Sequence, residues 1–298
     1  MPGSAAAPLD LDRLPSLSET VAANELAARK SLGQHFLLDL NLTRRIARAT
    51  GPFDGTTVLE VGPGPGGLTR ALLIEGAGRV VAIERDRRCV AALGPLVDLA
   101  AGRLTVIEAD ALAVDETKLA PAPRRIVANL PYNIATPLLI KWLDRIGAYE
   151  SLTLMVQKEV AMRIVARPGD EAYGRLSVRV GWVCDARLLF DVSPRAFTPP
   201  PKVTSSVIRL KPRPAPLCAA EPAAFEAVLA AAFGQRRKML RGALKTLGVD
   251  AGALLTAAGI EPTARAEILG IEAFCALART FALLRAARNP VAGGAHRE

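Results

Sequence analysis

Histidine and cysteine are scarce: the 298 residues include 2 His and 4 Cys. His35 and His296 lie near opposite ends, and Cys89, Cys184, Cys218 and Cys275 are far apart, with no CxxC pair. No zinc-type ligand spacing is present, so no metal site is expected. The same isolation argues against a disulfide framework and for four thiols in a reducing compartment. Aromatic residues are also few, at 4%. Ala, Leu and Val must therefore build most of the core. No run approaches the ~18–20 apolar residues of a membrane span. The first 29 residues lack the basic start and apolar stretch of a secretory signal. A cytoplasmic chain without membrane association is the expectation.

Positive charge, by contrast, is in excess. Lys and Arg number 38 against 29 Asp and Glu, a formal net charge of +9. That balance points to a polyanionic partner, either nucleic acid or an anionic surface. Half of the residues are hydrophobic, enough for a real core in one large domain or two unequal ones.

Residues 1–29 carry little pattern and are expected to form a flexible extension. Asp39 then starts a helical pattern, followed by a regular alternation. Thr57–Val61, Arg79–Ile83, Leu104–Ile107 and Arg125–Ala128 read as short buried strands, with helices at Leu68–Ile74 and about Asp86–Leu93. Such alternation predicts an α/β domain of Rossmann-like type, a mostly parallel sheet with helices on both faces. Leu152–Val156 continues as a strand and Gln157–Val165 as a helix. Leu176–Val183, Arg187–Val192 and Val203–Leu210 read as closing strands without long helices between them. Three prolines within 212–216 mark a linker, and beyond it Pro222 to about Ala287 reads helical, before a Gly-rich tail expected to be flexible. The expected division is 30–212 for the sheet domain and 213–298 for a small helical domain.

Gly62, Gly64 and Gly67 satisfy a GxGxxG spacing between a strand and a helix, a weak signal alone. Pro63 and Pro65 lack N–H groups and leave few donors for a pyrophosphate. Glu60, just before the glycines, would repel phosphate but favour an ammonium or sulfonium. Glu84 ends the next strand, where an acid can accept both ribose hydroxyls. A cationic adenosine derivative without phosphate, S-adenosylmethionine, fits all three features. Asp110 ends the third strand and is placed for the adenine amino group, with a plain helix cap as the alternative.

Asn129-Leu130-Pro131-Tyr132 follows the fourth strand, beside the same crevice. An exocyclic adenine amine is a poor nucleophile, because its lone pair is delocalised into the ring. Hydrogen bonds to the Asn129 side-chain oxygen and to the Leu130 or Pro131 carbonyl would pull that nitrogen towards a pyramidal shape. Pro131 fixes the local backbone, and Tyr132 can stack on the base. A bland alternative is an Asn-Pro turn with a partly buried tyrosine. A base reached in this way must be splayed from its stack, and Phe197 is a candidate second grip. The residues alone make Phe197 a buried loop anchor.

Together these segments resemble a known family, the bacterial small-subunit (16S) rRNA adenine N6,N6-dimethyltransferases. The resemblance runs from about Ser31 to Leu284. It rests on Gly33-Gln-His-Phe-Leu37, Glu60-Val-Gly-Pro-Gly64, Ile83-Glu-Arg-Asp86, Asn129-Leu-Pro-Tyr-Asn-Ile134, Gln157-Lys-Glu-Val-Ala161, Ala172-Tyr-Gly-Arg-Leu-Ser177, Phe197-Thr-Pro-Pro-Pro-Lys-Val203 and Gln235-Arg-Arg-Lys238. It implies two methylations on each of two adjacent adenines in the 3′-terminal hairpin loop of small-subunit rRNA. The implied setting is a late-assembly 30S particle, with the enzyme monomeric by default. It also assigns His35, Leu37, Gly62, Glu84, Asp110 and Asn129 to the cofactor, with Tyr132 and Phe197 on the acceptor base. His35 stands where Asn is common.

A basic helix is expected from Gln235, with Arg237, Arg241 and Lys245 every fourth residue and Lys238 alongside. This stripe would suit RNA; a solvated surface helix is the plainer reading. Rival functions are a large-subunit rRNA adenine methyltransferase of the antibiotic-resistance type, a DNA adenine methyltransferase, an assembly factor acting by binding, and a nicotinamide dehydrogenase.

Overall fold

Among the described residues, nine strands account for the β-structure: β1 (Phe36–Leu37), β2 (Thr57–Val61), β3 (Arg79–Glu84), β4 (Leu104–Glu108), β5 (Arg124–Asn129), β6 (Ser151–Gln157), β7 (Cys184–Val192), β8 (Phe197–Thr198) and β9 (Ser205–Pro212). These come from a computed structural model, which describes residues 10, 13–29, 32–236 and 238–288. Seven strands form one sheet in the order β4-β3-β2-β5-β6-β9-β7, and β1 pairs separately with β8. The pairs from β4 across to β6 are parallel, whereas β9 runs antiparallel to β6. β2 is buried along its whole length, as expected for a strand covered on both faces.

Helices α1 (Leu17–Ala23), α2 (Leu40–Thr50), α3 (Gly67–Ile74), α4 (Arg87–Ala92), α5 (Gly94–Leu99), α6 (Glu116–Leu119) and α7 (Ala135–Leu143) accompany the sheet. Asp39 caps α2 by accepting the Asn41 and Leu42 N–H groups, which explains why the helix starts there. Ile46, Ala47, Leu68 and Leu72 from α2 and α3 join Val58, Val80, Ala82 and Val127 from the sheet in one apolar core. β2 has β3 on one side and β5 on the other, so chain order reverses at β2. That reversal opens a crevice at the carboxyl ends of the strands.

The chain divides into two units, 1–161 with 185–212, and 162–184 with 213–298. The expected boundary at 212/213 is one of the seams. The expected 30–212 domain is corrected, however, because Met162–Cys184 groups with the second unit. Helix α8 (Lys158–Val165) carries the chain across the first seam. The linker also starts later than expected, since β9 continues to Pro212.

Four further expectations are corrected. Within the predicted flexible extension, residues 13–29 are anchored; 1–9 and 11–12 lie outside the described residues. Ser16 and Glu19 form a capping box on α1, Leu17 and Leu26 are buried, and the Arg70 guanidinium donates to the Pro15 carbonyl and the Thr20 hydroxyl. Two buried leucines and one reaching arginine make too short a pattern to read in advance. Leu176–Val183 is not a strand but part of helix α9 (Arg175–Val183). Its alternating apolar residues suit either period. Ser177 decides locally, accepting the Gly174 N–H and donating to the Arg163 carbonyl, while Trp182 packs on Phe225 at 4.3 Å.

The second unit also contains α10 (Pro222–Gly234), α11 (Leu240–Ala243), α12 (Ala251–Ala257) and α13 (Ile271–Arg288). Phe225, Val228, Leu229, Phe274 and Leu277 lie at its centre. Cys218 and Cys275 are bonded as a disulfide, against the expectation of four separate thiols. They are 57 residues apart with a Cα–Cα distance of 6.3 Å. The packing of α13 on α10 brings them together, and spacing along the chain carries no trace of it. The predicted basic helix from Gln235 is broken as well. α10 ends at Gly234, and Met239 is extended, bridged to Arg265, so no continuous helix can place these cations in one stripe. Arg237 lies outside the described residues. Lys238, Arg241 and Lys245 are exposed.

Candidate active site

The crevice is built from the ends of β2, β3, β4 and β5 together with the segment entering β1. At the first end, Gly62 turns the chain at φ +70° and donates its N–H to the Ile83 carbonyl at 2.9 Å. Gly66 occupies the N-cap of α3 in the left-handed region, where a side chain would be strained. Gly67 faces the Leu37 carbonyl so closely that a Cβ could not fit between them. These glycines therefore let β1 lie directly over the start of α3.

Glu84 ends β3 with its carboxylate already oriented. One oxygen accepts the Arg85 and Asp86 N–H groups, each at 2.8 Å, and the other accepts the Gly64 N–H at 3.1 Å. Burial pushes its pKa up, and the three N–H donors oppose that shift. Asp86 behaves oppositely. The Arg88 guanidinium donates to it at 2.6 Å and holds its pKa down at about 2. Asp86 also accepts from the Gln34 side chain at 3.0 Å, which ties the segment before β1 to the end of β3.

Glu60 is 1% exposed yet lines the crevice, and its Oε2 has no hydrogen-bond partner among the described residues. Burial raises its pKa to about 8; the Thr69 hydroxyl lowers it and the charge of Glu84 adds to the rise. A buried acid with an unused oxygen fits a cationic ligand and not a phosphate. The folded state therefore keeps a proton between about pH 4.5 and 8 that the unfolded chain has shed, so this carboxyl's contribution to stability declines as pH rises through that window. Glu60→Gln without ligand is expected to flatten this decline. Thermal melts from pH 5 to 8 check this, and identical slopes in both proteins would contradict it.

Asn129 ends β5. Its Nδ2 donates to the main-chain carbonyl of His35 at 3.3 Å, which orients the amide and leaves Oδ1 as an acceptor. The Pro131 carbonyl accepts the Ile134 N–H at 3.1 Å and keeps a second lone pair, so the Leu130 or the Pro131 carbonyl can serve as the motif acceptor beside Oδ1. The Tyr132 hydroxyl lies 2.6 Å from the Ser205 hydroxyl. Burial raises the tyrosine pKa, so the phenol stays neutral near pH 7.

His35, Leu37, Gly62, Gly64, Glu84, Asp110, Asn129, Leu130, Pro131 and Tyr132 thus line one cleft, enclosing about 1080 Å³ with its open mouth. Asp110 is partly engaged there, accepting the Leu112 N–H at 2.9 Å and pairing with Arg85 at 3.2 Å. Phe197 does not line the cleft and is corrected from a base-gripping residue to a buried anchor. It pairs with Leu37 across β1 and β8 and is 3% exposed within the apolar core. Gln34 and Ser205 were not legible as site residues. Each acts through a partner remote in sequence, and neither carries a local spacing signal.

A model of the ribosomal RNA adenine dimethylase family matches residues 25–283. A ribosomal RNA small subunit methyltransferase A from Rhodospirillum rubrum is 61% identical over 268 residues, covering 90% of this chain and 93% of its own length. One from Xanthobacter autotrophicus is 60% identical, covering 95% and 99%. Among solved structures, a dimethyladenosine transferase from Plasmodium falciparum is similar with a TM-score of 0.70 and 25% identity, over 86% of this chain and 99% of its own. The 23S rRNA methyltransferase ErmE is similar with a TM-score of 0.64 and 28% identity, over 83% and 99%.

Proposed function

This chain belongs to the ribosomal RNA adenine dimethylase family, and on that premise we propose a specific reaction for it. It is an S-adenosylmethionine-dependent methyltransferase acting on the exocyclic N6 of two adjacent adenines in the 3′-terminal hairpin loop of small-subunit (16S) rRNA, giving N6,N6-dimethyladenosine. The observation that carries this reading is the meeting, in one cleft, of an oriented ribose-type acceptor, Glu84, with the Asn129–Tyr132 acceptor motif.

The cofactor supplies an electrophilic methyl on a sulfonium, so no metal or strong base is required. Glu84 is placed for the ribose hydroxyls, Gly62 and Gly64 allow close approach, Asp110 suits the adenine ring, and the unused oxygen of Glu60 suits positive charge. On the acceptor side, Asn129 Oδ1 and the Leu130 or Pro131 carbonyl accept hydrogen bonds from the amine and disfavour its delocalised planar form. Tyr132 supplies a face for the base, and alignment of this kind lowers the barrier by several kcal/mol.

Ser205 holds the Tyr132 hydroxyl, so Ser205→Ala and Tyr132→Phe should each slow single-turnover methyl transfer by about fivefold, the equivalent of one hydrogen bond. The double variant should be no worse than either single one. Additive losses would separate the two residues.

A late-assembly 30S particle is the substrate form we favour, met in the cytoplasm by a monomeric enzyme. No helix among the described residues is long and apolar enough to cross a membrane. Lys238, Arg241 and Lys245 are exposed cations suited to rRNA phosphates. Reversing Arg241 and Lys245 to Glu is expected to weaken subunit binding and to reduce its salt dependence by about one to two charges. An unchanged salt slope would remove them from the interface.

The large-subunit alternative is favoured less, because the relatives at 60–61% identity carry small-subunit names and the 23S enzyme is 28% identical. The deciding assay supplies labelled methyl donor to purified undermethylated small and large subunits, followed by mass spectrometry of the RNA. Dimethyladenosine in the small-subunit 3′ hairpin is expected; label confined to large-subunit RNA would overturn the reading.

A further inference from the structure

His35 makes contacts that do not belong to a cofactor ligand alone. It lies just ahead of β1 and lines the cleft. Its ring centroid is 5.5 Å from that of Tyr132, with the planes inclined by 32°. The Phe197 ring lies on another side, edge-on at 6.5 Å. Nδ1 is 2.8 Å from the Pro199 carbonyl oxygen. A carbonyl can only accept, so Nδ1 carries a proton and the ring is pinned to the proline-rich segment after β8. The main-chain carbonyl of the same residue accepts the Asn129 amide.

One residue therefore meets Asn129 through its backbone, Tyr132 through its ring and the Pro199 segment through Nδ1. Ser205 holds Tyr132 only at the hydroxyl, and a tether at the tip of a phenol leaves the ring free to turn about its long axis. A flat neighbour against the ring restricts that rotation, and the Pro199 carbonyl keeps the neighbour itself from turning. At 5.5 Å the two rings lie too close for a base to enter between them, since two stacked intervals need about 7 Å. The imidazole is therefore a brace behind the tyrosine and not the second half of a sandwich.

We propose that His35 is a positioning residue for the acceptor base: its imidazole sets the plane of Tyr132 and couples that plane to the Pro199 segment. This deepens the function proposed above and rests on Tyr132 receiving the target adenine. A side chain that served the methyl donor would instead govern donor affinity.

The test compares His35→Ala, His35→Asn and His35→Phe in the full chain. S-adenosylmethionine affinity is measured by calorimetry, which also reports an intact cleft, and kcat and KM are measured on undermethylated small subunits. The expected result is a fall in kcat of about tenfold for the Ala variant and a smaller one for the Asn variant, from lost alignment, with donor Kd within about twofold of wild type. His35→Phe keeps a ring against Tyr132 and should recover most of the rate. A donor Kd weakened about tenfold with kcat intact at saturating donor would make His35 a cofactor ligand and overturn the proposal. So would wild-type rates in all three variants, or an active Asn variant beside an inactive Phe variant. Wild-type protein that binds the donor but labels no small-subunit rRNA would instead sink the substrate reading, and this proposal with it.

Discussion

Asn129→Ala should reduce methyl transfer by about 10²–10³-fold at saturating donor, the scale of losing one preorganised acceptor at a reacting group. The structure gives the reason. The Asn129 amide is fixed through Nδ2 to the His35 carbonyl, so Oδ1 has one direction in which to accept. Alanine removes both the acceptor and the tether, and water in its place would be neither fixed nor excluded. Single-turnover labelling of undermethylated small subunits measures the loss; a decline of less than about fivefold would show that the amide does not act on the amine. The same variant separates catalysis from binding in the cell. If the chain matters mainly as an assembly factor, Asn129→Ala supports subunit maturation as well as wild type does. On the enzymatic account it does not.

The second large effect is expected at Gly67. A methyl group there would collide with the Leu37 carbonyl, a backbone atom that cannot swing aside, so β1 must lift from α3. Leu37 belongs to the apolar core, and the lifted segment includes the cleft residues His35 and Leu37. Gly67→Ala should therefore lower stability by about 1–3 kcal/mol, as overpacking does, and weaken donor binding by at least about tenfold. Gly78→Ala is the control, because a methyl at Gly78 meets nothing within 4 Å. Denaturant melts and calorimetry on both variants check the pair; equal behaviour would remove the close approach as an argument.

The sheet and the cleft were legible wherever short-range chemistry settles the structure. Thr57–Val61 and Arg79–Glu84 announce themselves as apolar runs. Glu60, Gly62, Gly64 and Glu84 sit at strand ends, where parallel topology must gather them. Asn129 through Tyr132 follow from the same logic, one strand further on. What escaped depends on long-range packing. Leu176–Val183 alternates like a strand, but a hydrogen bond from Ser177 back to Arg163 and the contact of Trp182 with Phe225 make it a helix. Cys218 and Cys275 meet because α10 and α13 pack together. Phe197 reads from its residues as a buried loop anchor and goes to the base only through the family resemblance; its pairing with Leu37 buries it. Ser205 and Gln34 contribute through partners 73 and 52 residues away, separations that leave no mark on local pattern.

The account rests on what the cleft holds. A crystal structure of the chain with S-adenosylhomocysteine tests this most directly. It should place the ribose hydroxyls on the Glu84 carboxylate and the sulfur beside Asn129 and Tyr132. A ligand bound away from Glu84, or a cleft still vacant at saturating concentration, would contradict the account.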